Sequence, residues 1–245
     1  MTIIVTWNKK GGVGKTTSIV NLAYCLAELG KKVLVVDAAP QCNATAFFGK
    51  VNSHQKTISD VAQNHKNASK CIYRTKYKNI DIIKGDTEIL EKDIKIDPFW
   101  LMYFNPVFDK YDICLIDTDP TTDEITESVI RAADILLTPV YMNKSCRDNL
   151  ALVERHIEDY MDKGLIWKVF WTRANGRRKA QKNAFTDLIG KHVYPFMNSA
   201  VAESADVDNA WELYKPLAKH RANSPVTNDY IALSKELISI CETEV

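Results

Sequence analysis

Lys9-Lys10-Gly11-Gly12-Val13-Gly14-Lys15-Thr16-Thr17 is the stretch on which the reading of this chain turns. It follows a short β-branched run, Ile3 to Trp7. It precedes a segment, Thr16 to Leu29, whose apolar residues Ile19, Leu22, Ala23, Leu26 and Ala27 recur at a helical period before Gly30 closes it. A glycine-rich turn between a strand and a helix aims backbone N–H groups and a helix N-terminus at one spot, and both attract phosphate. Glycines let the chain curl closely around the anion, since they carry no Cβ. In that arrangement Lys15 reaches the β- and γ-phosphate oxygens and the Thr16 hydroxyl binds Mg²⁺, with the loop from Lys9 to Thr17 forming the rest of the cradle.

Outward from the loop, continuous apolar runs recur at Val33 to Val36, Ile80 to Ile83, Ile113 to Ile116, Ile135 to Val140 and Val169 to Trp171. Uninterrupted apolar strands, rather than alternating ones, are what a parallel sheet covered on both faces requires. Helical patterns lie between them at Ile58 to Asn64, Glu88 to Lys95, Pro98 to Lys110, Glu124 to Ala133, Arg147 to Met161, Gln181 to Ile189 and Thr227 to Cys241. There is no internal repeat, low-complexity segment or Pro/Gly/Ser linker. The expectation is one α/β domain over residues 1–245, a doubly wound, mostly parallel sheet with helices on both faces.

Composition sets limits. With 245 residues and 46% hydrophobic side chains, the chain is able to bury a substantial core. Thirty-two basic against 31 acidic residues leave a net charge of +1, so any polyanion must be held by a local patch. Six cysteines are scattered without a CxxC pair, which disfavours a zinc, iron-sulfur or dithiol centre and reads as free thiols in a reducing compartment. No basic leader precedes a cleavable apolar stretch, and no run approaches the length of a membrane span, so a cytoplasmic protein is expected.

The loop departs from the general GxxxxGK[ST] pattern in having Lys9 at its first glycine position. KGGVGKTT instead resembles the deviant Walker A motif of the ParA/MinD family of P-loop ATPases. The resemblance extends through VLVVDAAPQCNAT (Val33 to Thr45), YDICLIDTDP (Tyr111 to Pro120) and AADILLTPV (Ala132 to Val140), and is loose in the last third. It implies ATP and Mg²⁺ as cofactors. It implies that Lys10 reaches across a nucleotide-sandwich homodimer to the partner's phosphates, so that ATP binding and dimerisation are one linked equilibrium. It implies that Asp117, at a strand end, holds the Mg²⁺ shell through water and that Asp37 supports it.

Related sequences usually read DxDPQ where this chain has Asp37-Ala38-Ala39-Pro40-Gln41, so Ala39 stands where an aspartate orients the attacking water. Losing such a group slows phosphoryl transfer by orders of magnitude while leaving nucleotide affinity largely intact. By the resemblance, then, the catalytic positions are Lys10, Lys15, Asp37 and Ala39, and the form is hydrolysis-impaired and trapped with ATP. Either another carboxylate, such as Asp119, takes the role or the aspartate has been replaced.

From Lys163 to Lys191 eight basic residues face one acid, Asp187, a local excess that includes Arg177, Arg178, Lys179 and Lys182. A shorter basic stretch carries Lys215, Lys219, His220 and Arg221. On a dimer such patches follow a phosphate backbone without reading bases. Arg173, after the Val169 to Trp171 run, stands at the sheet edge where a nucleotide base lies. The tryptophans Trp100, Trp167, Trp171 and Trp211 read as packing residues.

The function expected from the resemblance is DNA segregation. An ATP dimer holds double-stranded DNA nonspecifically on the nucleoid, and a ParB-like centromere-binding partner triggers its release. The competing readings are a MinD-like positioning ATPase at a membrane, a nucleotide-dependent scaffold that does not hydrolyse, and a metal-cluster carrier. Against the membrane reading, the terminal IALSKELISICETEV carries Glu236, Glu242 and Glu244 against Lys235, which repels anionic lipid.

Overall fold

A computed structural model describes residues 1–49, 55–63, 69–89, 107, 109–189 and 194–245. The helical patterns at Glu88 to Lys95 and Pro98 to Lys110 fall almost wholly outside these residues, as do Trp100 and Lys191.

The chain opens with strand β1 (Thr2–Thr6), the glycine loop and helix α1 (Lys15–Glu28). Strand β2 (Val33–Asp37) leads into the short helices α2 (Asn43–Phe48) and α3 (Ile58–Gln63), then strands β3 (Ile72–Arg74), β4 (Ile80–Ile83) and β5 (Ile113–Asp117). Helix α4 (Glu124–Arg131), strand β6 (Ile135–Tyr141), helix α5 (Cys146–Met161), strand β7 (Ile166–Thr172) and helix α6 (Lys179–Ile189) follow. The chain ends with α7 (Ala205–Glu212), α8 (Leu217–His220) and α9 (Pro225–Thr243).

Among the described residues seven strands form one sheet, in the order β3-β4-β2-β5-β1-β6-β7. All neighbours are parallel except β3, which pairs antiparallel with β4. The expected mostly parallel, doubly wound sheet is thus what forms. The apolar runs divide by residue parity: Val5, Leu34, Val36, Cys114, Ile116 and Leu136 face one layer. Ile4, Val33, Val35, Ile113, Leu115 and Leu137 face the other. Helices α3 to α6 cover the first face. Helices α1, α2, α7, α8 and α9 cover the second. Burial on both faces is why the strands show no polar alternation.

Helix starts follow capping chemistry. The Asp123 carboxylate accepts from Thr126 N at 2.8 Å to start α4. The Ser204 hydroxyl accepts from Asp206 N at 3.2 Å to start α7, and Ser224 with Pro225 opens α9. The strand after α5 runs longer than expected, from Ile166, because Trp167 and Val169 pack beside β6 while the polar Lys168 sits between them. Beyond β7, residues 194–202 lie alongside it, with Val169 bridging Phe196 and Ala174 bridging Ala202.

Leu22 of α1 has no exposed surface, whereas Leu152 of α5 is 48% exposed. Leu22→Ala is therefore expected to lower unfolding free energy by about 2–5 kcal/mol in urea titration, and Leu152→Ala by under about 0.5 kcal/mol. Equal losses would mean that α1 is not seated on the sheet as described.

Candidate functional site

The sheet register sets two carboxylates side by side. Asp37 and Asp117 end β2 and β5 and are register partners, with Thr6 of β1 next to Asp117 on its other side. Both carboxylates are completely buried. Asp37 accepts hydrogen bonds from Thr45 N at 2.7 Å and from Ala39 N at 3.3 Å. Burial nevertheless pushes its carboxyl above the usual range, the Thr45 and Ala39 bonds offsetting only part of the rise. Burial raises Asp117 as well, and the charge of Asp37 adds to it, against weaker opposition from Thr16 and Lys15. No hydrogen bond of normal length closes on either oxygen of Asp117 among the described residues.

Above this pair runs the glycine loop. Gly12 and Gly14 have φ of 70° and 94°, in the left-handed region that other residues enter at a cost. Gly14 precedes α1 without a capping side chain, and the first backbone bond from the helix is Ser18 N to Gly14 O at 2.9 Å. The amides ahead of Ser18 are thereby presented to a ligand. Lys15 is buried and its ammonium donates to Asn8 O at 3.3 Å and Lys10 O at 3.4 Å. Burial lowers its pKa, while Asp117 and Asp119 hold it up.

A cavity of about 260 Å³ opens over the loop, lined by Gly11, Gly12, Lys15, Thr16, Ala39 and Asp119, with Arg173 and Trp211 at its far side. A second, of about 290 Å³, continues past Gly14 and Thr17 to Arg173, Trp211 and Tyr230. Arg173 is exposed, has a φ of 49° and lines both. The buried donor-poor oxygens of Asp117 beside the Thr16 hydroxyl fit a divalent cation, and the bare amides with Lys15 fit its phosphate. Oxygen ligands, two of them carboxylates, suit Mg²⁺.

Lys10 behaves differently from Lys15. It does not line the phosphate cavity of its own chain. Its ammonium donates to Ser145 Oγ at 3.0 Å, and that hydroxyl donates to Asn143 Oδ1 at 2.9 Å. Lys9 is exposed.

Several supporting residues escaped sequence reasoning. Asn8 donates to Pro139 O at 2.8 Å and accepts from Lys10 N and Asn149 Nδ2, tying the loop to β6 and α5. Thr172 Oγ1 lies 2.9 Å from Val13 O and 3.0 Å from Val140 O, and its proton serves one or the other. Gly85 passes so close to β2 that an added Cβ would lie 2.7 Å from Cys42 Sγ. Asn8 immediately precedes the loop motif and was the one signal within reach.

The basic residues are not equivalent. Arg177, Lys179 and Lys182 are exposed. Arg178, by contrast, pairs with Glu203 at 2.9 Å, and Arg221 with Asp206 at 2.7 Å. Lys215 and Lys219 are exposed at α8 and the turn before it. Trp7 and Trp167 are core residues, Trp171 stacks on Phe185 at 5.4 Å, and Trp211 packs on Phe47 while also lining the cavities. All six cysteines are free.

A family model described as an AAA domain matches residues 1–163. The chain belongs to this family, as a P-loop ATPase of the ParA/MinD type. It is 29% identical to the sporulation initiation inhibitor protein Soj of Bacillus subtilis, over 96% of this chain and 97% of that protein. It is 25% identical to the chromosome partitioning protein ParA of Myxococcus xanthus, over 96% of this chain and 87% of that one. The septum site-determining protein MinD of Pyrococcus horikoshii, solved with Mg-ADP, superposes with a TM-score of 0.81 at 25% identity, covering all of this chain and 98% of that one.

The raised carboxyls make a pH prediction for the nucleotide-free ATPase. Folded Asp37 and Asp117 bind protons more tightly than in the unfolded chain, so stability falls as pH rises from the unfolded carboxyl pKa toward neutrality. Asp117→Asn is expected to raise the melting temperature at about pH 7.5, by about 2–4 °C for each kcal/mol relieved, and to change it little near pH 4. Equal shifts at both pH values would count against the buried pair as the cause.

Proposed function

We propose that the chain, as one unit over residues 1–245, is an ATP-dependent DNA partition ATPase of the cytoplasm, nucleoid-associated through its DNA, whose Mg-ATP form pairs with a second copy of itself. The observation that carries this reading is Lys10. A loop lysine that leaves its own cavity and docks on Ser145 is available to a neighbour's phosphates. In the dimer Lys10 exchanges Ser145 for the partner's ligand, so the dimer is stable only with nucleotide between the copies.

Within one copy, Lys15 moves from the carbonyls of Asn8 and Lys10 to the phosphates, and Gly11 to Thr17 supply amides. Thr16, Asp117 and Asp37 would hold Mg²⁺, and the ion would supply charge neutralisation at the phosphates. Arg173 lines both cavities, which supports a place for it beside the base. Ala39 lines the phosphate cavity but offers a methyl group where a hydrogen-bond acceptor orients water, so hydrolysis is slow and the ATP dimer long-lived. Asp119 lines the same cavity, and burial raises its carboxyl against the pull of Lys15. It is the carboxylate nearest to hand if this chain hydrolyses unaided.

Partition work needs a DNA surface and a release signal. Arg177, Lys179 and Lys182 on and before α6, with Lys215 and Lys219 near α8, are the exposed cations that support nonspecific binding of duplex DNA. Arg178 and Arg221 contribute less while held by Glu203 and Asp206. A ParB-like partner supplies the release signal in this scheme, and the relatives named for chromosome partitioning support it.

The membrane-positioning alternative is weakened by the last helix. The apolar face of α9 is buried through Leu233, Leu237 and Ile240. Its acidic end is pinned by Lys31 to Glu242 at 3.0 Å and by Lys168 to Glu244 at 2.8 Å. No described helix is long and apolar enough to cross a membrane.

Lys10→Ala is expected to abolish an ATP-specific dimer in size-exclusion light scattering run with ATP, with ADP and without nucleotide; an unchanged dimer refutes the trans role. Ala39→Asp is expected to raise steady-state phosphate release at least about tenfold. DNA retention that is the same in all three nucleotide conditions would refute the switch.

A further inference from the structure

At the end of the sheet opposite the phosphate loop, the segments entering β2, β4 and β5 and the turn from β3 to β4 enclose a concavity of about 540 Å³. Five cations line it: Lys32, Arg74, Lys76, Lys78 and Lys110. All five are exposed, and among the described residues none is held in an ion pair. Two acids stand among them, Asp81 in the lining and Asp112 exposed beside Lys32, and each is engaged by a neutral donor. Asp81 accepts from the Tyr111 hydroxyl at 2.7 Å, and Asp112 accepts from Lys32 N at 2.6 Å.

The cations sit on an ordered frame. The Thr75 hydroxyl donates to Ile80 O at 2.8 Å and accepts from Tyr77 N at 3.1 Å, and Asn79 turns the chain with a φ of 63°. Along this turn Arg74, Lys76 and Lys78 are exposed while Thr75 and Tyr77 are partly buried. Five cations lining one concavity against a single lining carboxylate, Asp81, repel one another, in a protein whose net charge is only +1. A polyanion relieves that repulsion.

We infer that this concavity is a second DNA-binding surface, which grips the sugar-phosphate backbone of duplex DNA without regard to sequence or nucleotide state. The rings and apolar groups decide the occupant. The large exposed apolar residues of the described chain are Leu29, Leu152, Leu213, Tyr214 and Val245, and none lines the concavity, so a docking peptide finds no anchor. Tyr77 packs on Tyr24 and Phe48 with ring centroids 5.4 and 6.1 Å away, and the Lys76 ammonium lies 5.2 Å from its centroid, so this ring is not free to stack on an unpaired base. What remains is positive charge on a concave surface, which fits backbone phosphates. The site lies at the N-terminal ends of β2, β4 and β5, whereas Asp37 and Asp117 lie at C-terminal ends, so a ligand in the phosphate loop does not touch it.

The test is fluorescence anisotropy of nucleotide-free protein with a labelled mixed-sequence duplex across a salt series. The double variant Lys76→Ala/Lys78→Ala is expected to weaken binding about tenfold and to reduce the slope of log affinity against log salt by about two. Arg74→Glu is expected to weaken it further, with melting temperatures unchanged in both. Arg177→Ala/Lys179→Ala/Lys182→Ala is expected to leave nucleotide-free binding intact, which separates this surface from the one in the partition scheme. Unaltered affinity and slope in both concavity variants would overturn the inference. So would tighter retention of polyglutamate or of phosphatidylglycerol vesicles than of duplex by the wild type, if lost in the same variants, since the occupant would then be an acidic peptide or a lipid surface.

Discussion

Two carboxyl groups set side by side inside the sheet are the constraint on which the site depends. Asp37 and Asp117 are neighbours because β2 and β5 run parallel in register, and both are removed from water. A like-charged pair in such a place is a poor structural element but a good receptor for a cation. The strands could place alanine or threonine there at no electrostatic cost. A cation and a phosphate are the ligands proposed above for these carboxyls and for the bare amides of the glycine loop.

The surroundings brace that pair rather than neutralise it. Thr45 donates its amide to Asp37 while its hydroxyl accepts from Gly85 N at 2.8 Å, which locks the turn after β4 to the turn after β2. On the other side Asn8 and Thr172 hold the loop to β6 and β7 through backbone carbonyls. Neutral hydrogen bonds fix geometry without supplying counter-charge. Lys15 opposes the rise at Asp117, but burial and the charge of Asp37 outweigh it.

The sheet and the loop were legible because their signals are local and strong. A glycine-rich turn between a β-branched run and a helical period can be read within thirty residues, and apolar runs such as Ile113 to Ile116 are too continuous for anything but a strand buried on both faces. Helices α2, α7 and α8 were not anticipated. They are short, and α7 carries Asp206, Asp208 and Asn209 in its first turns, a composition that reads as loop until the Ser204 cap and the burial of Ala210 are known. β3 is three residues long, below the length at which a pattern exists. Asn8, Thr172 and Gly85 act through contacts forty or more residues away in sequence, and the basic concavity is assembled from Lys32, Arg74 to Lys78 and Lys110, which no window along the chain brings together. Pairing of Arg178 and Arg221 with acids was equally invisible, because charge counts along a sequence carry no partners.

The two outer strands of the sheet are closed to newcomers in different ways. At one border β3 offers three residues, ends in Arg74 and runs against its neighbour, a poor template for another backbone. At the other, β7 is shielded by the returning chain at Phe196 and Ala202. Among the described residues neither border therefore offers a long free edge, which disfavours the joining of copies by strand addition and spares the sheet a template for β-ribbon growth.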